Sequence, residues 1–472
     1  MSRSRKKVLF IAYIFPPLAR AGVHRSVRFA RYLPELGWDL TVLTPAERYY
    51  PSHSPIDRDL VKKIPAEIAL ESTPVFQGAA SMFHLKDVLR GRQASSPAPK
   101  PKVPPVTPKS AKNSAPAKTA AASNAPKRRG AMQKAKDLIY DLFTIPDKDV
   151  NWLPYAVARG MKLHRREKFD LIYSTAPPFT DHLVAHFLKK MTGLPWVADF
   201  RDPWARAPWK AEILGESLRG KSATYLERQF VLAADRVILN TEWIKSDFAE
   251  YYGPQLAQKF SVITNGFDPQ DFAGIHPIAP ARSAKKLVIT HTGALYRKRN
   301  PQNFFTACDN LISKHGVAPH ELELRFVGTV APELYSSFEC GDALRQVIQV
   351  MPPVSHQEAL QYQLESDVLL ILQPGTSMSV PGKIFEYIGM RKMILAITPR
   401  GATADVVREN NLGMIADPDN LAEIENCLLK LVHDFRNGGL QPPSVNGAFT
   451  KYNGMELTKQ LHLEFMKCLR HG

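Results

Sequence analysis

One pattern constrains this chain more than any other. Short continuous apolar runs alternate with stretches of helical periodicity, and they do so in two successive series. "KVLFIAYIF", "DLTVLTP", "FDLIYSTA", "PWVADF", "RVILNT" and "FSVITNGFD" form the first. "KLVITHTGAL", "LELRFVGTV", "VIQVMPP", "DVLLILQP", "MILAIT" and "LGMIAD" form the second. Strands read as unbroken apolar runs when helices cover both faces of a parallel sheet. The first strand leads into "GVHRSVRFARYLPELG", a predicted helix ending in Gly37, and the second series continues with the helix "NPQNFFTACDNLISKHG". The fold class is therefore α/β, with two doubly wound, Rossmann-like parallel-sheet domains facing a cleft. A length of 472 residues agrees, being more than one core usually supports. The pattern breaks at "HPIAPARSAKK", residues 276–286, which divides the chain into domains 1–280 and 281–450. Residues 451–472 are expected to form a C-terminal helix that packs back on the first domain.

The net charge of +17 is concentrated in one place. Between Gly91 and Lys136 there is no Asp or Glu and there are eleven Lys and Arg, about two thirds of the excess. This segment, rich in Pro, Ala, Lys and Ser, has little to bury and reads as a disordered basic insertion at about 92–130. It is either a solvated spacer or an arm lying on an anionic membrane, where each near-surface cation contributes about 1 kcal/mol. It lacks the interleaved aromatics that stack on bases, so no specific nucleic-acid partner is expected. No apolar run approaches the roughly 18 residues of a spanning helix, and "MSRSRKKVLFIAY" turns into "IFPPL" too early for a signal peptide. Four scattered cysteines without a C-x-x-C suit a reducing compartment and no structural zinc. The expected location is cytoplasmic.

Candidate chemistry sits at the predicted strand ends. Gly22 opens the helix after the first strand, where a small residue lets backbone amides approach a ligand, although no G-x-G-x-x-G is present. "STAPPFTDH" supplies a polar, proline-fixed loop containing Thr175 and Pro178. "VADFRDPW" places Asp199, Arg201 and Asp202 at a strand tip, either as functional charges or as a salt bridge that holds the loop. "HTGALYRKRNP" combines Gly293, Arg297, Lys298, Arg299 and a helix start at Asn300 and Pro301, the set a diphosphate requires. "FVGTV" adds Gly328, and Ser355 caps a helix in "MPPVSHQEAL". In "VPGKIFEYIGM", Lys383 and Glu386 stand at i and i+3, either as a solvent-facing pair or as a ligand site at a helix start. "DPD" at 417–419 reads as a turn and helix cap, not a metal site.

Taken in order, "FIAYIFPPLARAGVHRSVRFARYLPELGWDLTVLT", "IYSTAPPFTDHLVAHFLKKMTGLPWVADFRDPW", "VILNTEWIKSDF", "VITNGFDPQDF", "THTGALYRKRNPQNFFTA" and "SVPGKIFEYIGMRKMILAI" resemble retaining GT-B fold glycosyltransferases of the glycosyltransferase 4-like group, found in bacterial surface-polysaccharide synthesis. The resemblance implies an acceptor-side first domain and a nucleotide-sugar-binding second domain. It further implies a UDP- or GDP-sugar donor as co-substrate with no cofactor or metal, a lipid-linked or glycan acceptor, and a peripheral position on the inner face of the plasma membrane. Glu386 takes the place of the second glutamate of the E-x7-E element, which holds the ribose hydroxyls. Arg299 stands where a diphosphate-binding lysine is usual, and Ala294 replaces the preceding arginine, with Arg297 or Lys298 compensating. Gly22 and Ala21 fall on the family's Gly-Gly, and Arg201 and Asp202 on a His-Asp pair near the reacting centre.

Met378 occupies the position of the first glutamate. The resemblance then leaves three outcomes. Backbone amides between Ser377 and Val380, including those of Ser379 and Val380, contact the donor; or the sugar preference is changed; or the chain is a catalytically impaired relative acting as a binding or scaffold subunit. A sugar-nucleotide epimerase of the same architecture is the other alternative.

Overall fold

The computed structural model describes residues 5–76, 144–207, 217–275, 286–296, 299–338, 341–440, 443–444 and 446–470. The basic segment 92–130, residues 276–285 of the expected boundary, and Arg297 and Lys298 lie outside the described residues. The first sheet has seven parallel strands in the order β3-β2-β1-β4-β5-β6-β7. They are Lys6–Ile11 (β1), Trp38–Pro45 (β2), Ala69–Thr73 (β3), Leu171–Ala176 (β4), Trp196–Phe200 (β5), Arg236–Leu239 (β6) and Phe260–Val262 (β7). In register, Val8 of β1 faces Leu40 on one side and Leu171 on the other. Helix α1 (Val23–Tyr32) lies on one face. Helices α2 (Leu153–Glu167), α3 (Thr180–Thr192) and α4 (Leu218–Ala233) cover the other, burying Leu163, Leu188 and Phe230 against Ile172, Trp196 and Val237. Helix α5 (Glu242–Tyr252) follows β6 and starts at the Thr241 cap.

Two details differ from the sequence pattern. The helix opening the first domain stops at Tyr32, and a 3-10 turn, Pro34–Leu36, carries the chain to Gly37. Pro34 has no amide hydrogen to continue the helical ladder. Strand β3, "ALEST", carries no apolar run because it is an edge strand with only Thr73 buried.

The second sheet has six parallel strands in the order β10-β9-β8-β11-β12-β13. They are Leu287–Thr292 (β8), Leu322–Val327 (β9), Ile348–Met351 (β10), Val368–Leu372 (β11), Met393–Ile397 (β12) and Gly413–Ala416 (β13). Its main helices are α6 (Gln302–Ser313), α7 (His356–Leu364), α8 (Lys383–Gly389), α9 (Ala402–Glu409) and α10 (Leu421–Arg436). One face is filled by Phe304, Leu311 and Leu428, and the other by Ile384, Tyr387 and Val407. The chain then crosses back: Phe267 and Tyr452 are joined through their backbones, as are Gly454 and Phe267. Helix α11 (Gly454–Arg470) lays Leu457, Leu461 and Phe465 among Val8, Phe10, Trp38 and Tyr173 of the first domain. Among the described residues no helix is long and apolar enough to cross a membrane.

Candidate functional site

Strand order reverses between β1 and β4 in one sheet and between β8 and β11 in the other, and open α/β sheets leave a ligand crevice at such points. Here the two crevices face each other across a cleft of about 1180 Å³. Gly22 and His24 come to it from the turn after β1 and the start of α1, Pro177 from after β4, Arg201 and Asp202 from after β5, and Asn240 and Asn265 from after β6 and β7. From the second domain come Gly293, Tyr296 and Arg299 after β8, and Gln373, Thr376, Ser379, Lys383 and Glu386 after β11.

The first-domain wall rests on a buried ion pair. Arg25 donates from Nε and Nη2 to Asp199, each at 2.8 Å, and from Nη1 and Nη2 to the carbonyls of Thr264 and Ile263. Tyr173 Oη and Thr175 Oγ1 also donate to Asp199, at 2.7 and 2.9 Å. Burial alone would raise the Asp199 pKa, but Arg25 and these hydrogen bonds hold it below the ordinary value. The expectation that Asp199 is catalytic is therefore revised. It is fully buried beneath the cleft wall with its partners around it, and it positions the ends of β4 and β5. Thr175 is likewise spent on Asp199 inside the sheet, and Pro178 is buried in the turn behind Pro177; neither lines the cleft.

Arg201 and Asp202 do line it. Arg201 donates to the carbonyls of Ala176, at 3.1 Å, and Pro177, which fixes the turn after β4. Its Nη1 is buried without a partner among the described residues. That nitrogen fills the place where a Cβ on residue 22 would stand, 1.6 Å away, and Gly22 has a φ of 92°. Only glycine fits both demands. Burial lowers the Arg201 pKa from a value so high that the group stays charged.

On the opposite wall the Lys383 ammonium donates to the carbonyl of Thr292 and to His291 Nε2 at 3.2 Å. Burial, aided by Arg299, pushes its pKa down to about 7, against the pull of Glu386. Arg299 reaches Gln373 Oε1 at 3.3 Å and stacks its guanidinium 5.0 Å from the Tyr296 ring. Its Nε is buried without a partner among the described residues, as are Thr376 Oγ1 and Ser379 Oγ. Val380 lines the cleft while packing into the core beside Ile384 and Phe385. Gly328 does not reach the cleft; it supports the backbone of Gly293 from below.

Glu386 faces the cleft from the first turn of α8. His356 Nε2 donates to one carboxylate oxygen at 3.2 Å and Gln363 Nε2 to the other at 3.2 Å. Burial raises the pKa of this carboxyl, yet His356, His24 and Gln363 together hold it low. Half of its four acceptor sites remain for a ligand. The His24 ring lies 5.2 Å from that of His356 across the domain boundary, and burial with His356 lowers its pKa to about 4. The sequence pattern missed His24, Asn240, Asn265, His356 and Gln363. Asn240 and Asn265 follow strand ends and His24 and His356 stand at helix starts, which could have flagged them, whereas Gln363 near the end of α7 carries no such signal.

Met378 turns away from the cleft. Its side chain packs on the first-domain core, and its carbonyl accepts from Thr241 Oγ1 at 2.8 Å. The "DPD" turn is closed by Asp417 Oδ1 accepting from the Asp419 amide, with Asn420 capping α10. Among the described residues no group of three or more His, Cys, Asp or Glu is placed to hold a metal ion.

Two parallel α/β domains meeting at their switch points define the GT-B class of architecture. Solved structures agree. Sucrose-phosphate synthase from Thermosynechococcus elongatus matches with a TM-score of 0.61 at 12% identity, over 99% of this chain and 100% of that one. HepE from Anabaena in complex with UDP and glucose matches at 0.58 and 13%, over 98% and 100%. A putative UDP-N-acetylglucosamine 2-epimerase from Listeria monocytogenes matches at 0.52 and 12%, over 99% and 98%. At such identities the likeness shows the fold alone. In sequence, residues 121–271 match the model of Glycosyltransferase Family 4, so the chain resembles GT-B glycosyltransferases of the glycosyltransferase 4-like kind. A comparison with curated proteins gives no match.

Proposed function

We propose that this chain is a retaining glycosyltransferase that moves a sugar from a nucleoside-diphosphate donor to a lipid-linked or polysaccharide acceptor in cell-surface glycan synthesis. The observation that carries the reading is the second-domain wall, where a carboxylate with open acceptor sites, Glu386, stands in the same cleft as the two cations Lys383 and Arg299. The carboxylate accepts from ribose hydroxyls and the cations hold the diphosphate. In transfer, the bond from the anomeric carbon to the β-phosphate oxygen breaks, the acceptor oxygen bonds to that carbon on the same face, and the acceptor proton passes to the departing phosphate. Lys383 and Arg299 stabilise the negative charge on that leaving group without a metal. Arg201 and Asp202 face the acceptor hydroxyl from the first domain. No carboxylate is assigned as a covalent nucleophile. HepE holds UDP in a similar fold, which supports a uridine donor.

Calorimetry with a panel of UDP- and GDP-sugars tests this reading. One donor should bind, and Glu386→Ala should weaken it about tenfold to a hundredfold, as the loss of hydrogen bonds to a charged group does. Equal affinity in wild type and variant removes the assigned role of Glu386, and no binding by any nucleotide sugar removes the reading. A second reading, donor binding without transfer, is favoured by Met378 and its turn toward the first domain. Turnover separates the two, because only a transferase releases nucleoside diphosphate when acceptor is supplied. Epimerisation of the donor with no acceptor present would point to the third class.

A further inference from the structure

Helices α2, α3 and α4 form one layer over the first sheet, neighbour against neighbour. Their inward faces are apolar, as a sheet cover must be, but their outward faces are unusual. On α2, Tyr155 is 38% exposed, and Lys162 and Arg165 are exposed beside it. On α3, Phe187 and Met191 are 41% and 57% exposed, with Lys190 between them. On α4, Leu218, Tyr225 and Leu232 stand out at intervals of seven, at 41%, 63% and 44%, with Lys221 and Arg228 in the same stripe.

Among the described residues, no acid on these three helices pairs with Lys162, Arg165, Lys190, Lys221 or Arg228. Asp181 and Glu227 are buried, and Glu167 is occupied by Arg166 and Lys7. The helix on the other side of the same sheet behaves differently: α11 pairs Lys459 with Glu456 and Lys467 with Glu464. The two layers cover opposite faces of one sheet and differ in what they offer to the outside.

Large apolar and aromatic side chains interspersed with cations, spread over three parallel ridges with no enclosing groove, suit a surface that adapts its shape. An anionic bilayer is such a surface, since it takes apolar tips into the headgroup boundary and attracts cations over the whole face. We propose that the outer face of α2, α3 and α4 is a docking surface for an anionic lipid bilayer. It stands apart from the segment 92–130 and does not depend on the reaction assigned to the cleft.

Flotation of the full chain with vesicles of one part phosphatidylglycerol to three of phosphatidylcholine, against phosphatidylcholine alone, is the test. The wild type should partition to the anionic vesicles. Lys190→Glu/Lys221→Glu/Arg228→Glu should lower that partition by more than about tenfold, as three reversed charges require. Phe187→Ser/Met191→Ser/Tyr225→Ser should lower it and make the remainder salt-labile. All six positions are exposed, so unchanged thermal melting and nucleotide affinity certify the fold of each variant. A chain lacking 92–130 should retain the binding that the two triple variants lower. The proposal is overturned if both triple variants partition as the wild type does, or if the wild type shows no preference for the anionic vesicles.

Discussion

Lys383 and Glu386 lie one helical turn apart and meet opposite electrostatic fates. Glu386 stays charged because three neighbours favour its anion. Lys383 sits where burial favours its neutral form, with a pKa of about 7. A bound diphosphate must raise that value, since it favours the ammonium. Donor binding should then take up a proton above pH 7, and affinity should fall as pH rises, by at most about tenfold per unit. Calorimetry of UDP in buffers of differing ionisation enthalpy counts this proton. The count should drop in Lys383→Met, while any contribution of His356 stays. An identical proton count in the variant would show that Lys383 does not meet the phosphates. In the free protein the sign is separate: the folded state binds fewer protons than the unfolded one between pH 7 and the ordinary lysine value, so this group adds stability as pH rises through that window. The pair was legible in sequence from a Pro-Gly break followed by charges inside an apolar stretch. Asp199 was misread because three charges at a strand tip look alike on paper. Position 199 still belongs to β5 and faces inward to Arg25, a residue 174 positions away in the chain.

At the scale of elements, the strand-end loops depend on one another. Gly328 has a φ of 143°, and a Cβ there would stand 2.5 Å from the carbonyl oxygen of Gly293. The end of β9 thus sets the height of the loop that lines the cleft. Gly328→Ala should cost at least about 1–3 kcal/mol and weaken UDP binding with it. Gly375→Ala is the comparison, since Gly375 also has a positive φ, 82°, but meets nothing within 4 Å. It should cost about 1 kcal/mol and leave UDP affinity closer to wild type. Thermal melting and calorimetry on the pair check this, and equal losses of affinity would mean that the Gly328 contact does not shape the site. Buried strands such as "VLLIL" and "MILAI" were plain in sequence because both faces are covered. Edge strand β3 was not, because an edge needs no apolar run and its pairing to β2 is a property of the backbone.

For the molecule as a whole, the cleft is closed on one side by contacts that no local pattern encodes. Thr241 Oγ1 reaches the Met378 carbonyl, and Trp243 Nε1 donates to Asp405 Oδ2 at 2.7 Å, both across the domain boundary. A double-mutant cycle with Trp243→Phe and Asp405→Ala, read on UDP affinity, should give a coupling of about 0.5–1.5 kcal/mol. Additive effects would mean that this bond does not bias the domains toward each other. The fold class followed from the two series of apolar runs, whereas Met378 drew attention by what it lacks and proves to serve the boundary between domains. The same long-range logic governs α11, which leaves the second domain and completes the core of the first. Second domains therefore cannot be shuffled between such chains by a single splice near residue 280. A transplanted 281–450 segment needs a second junction, before Gly454, so that the recipient keeps its own terminal helix on its own sheet.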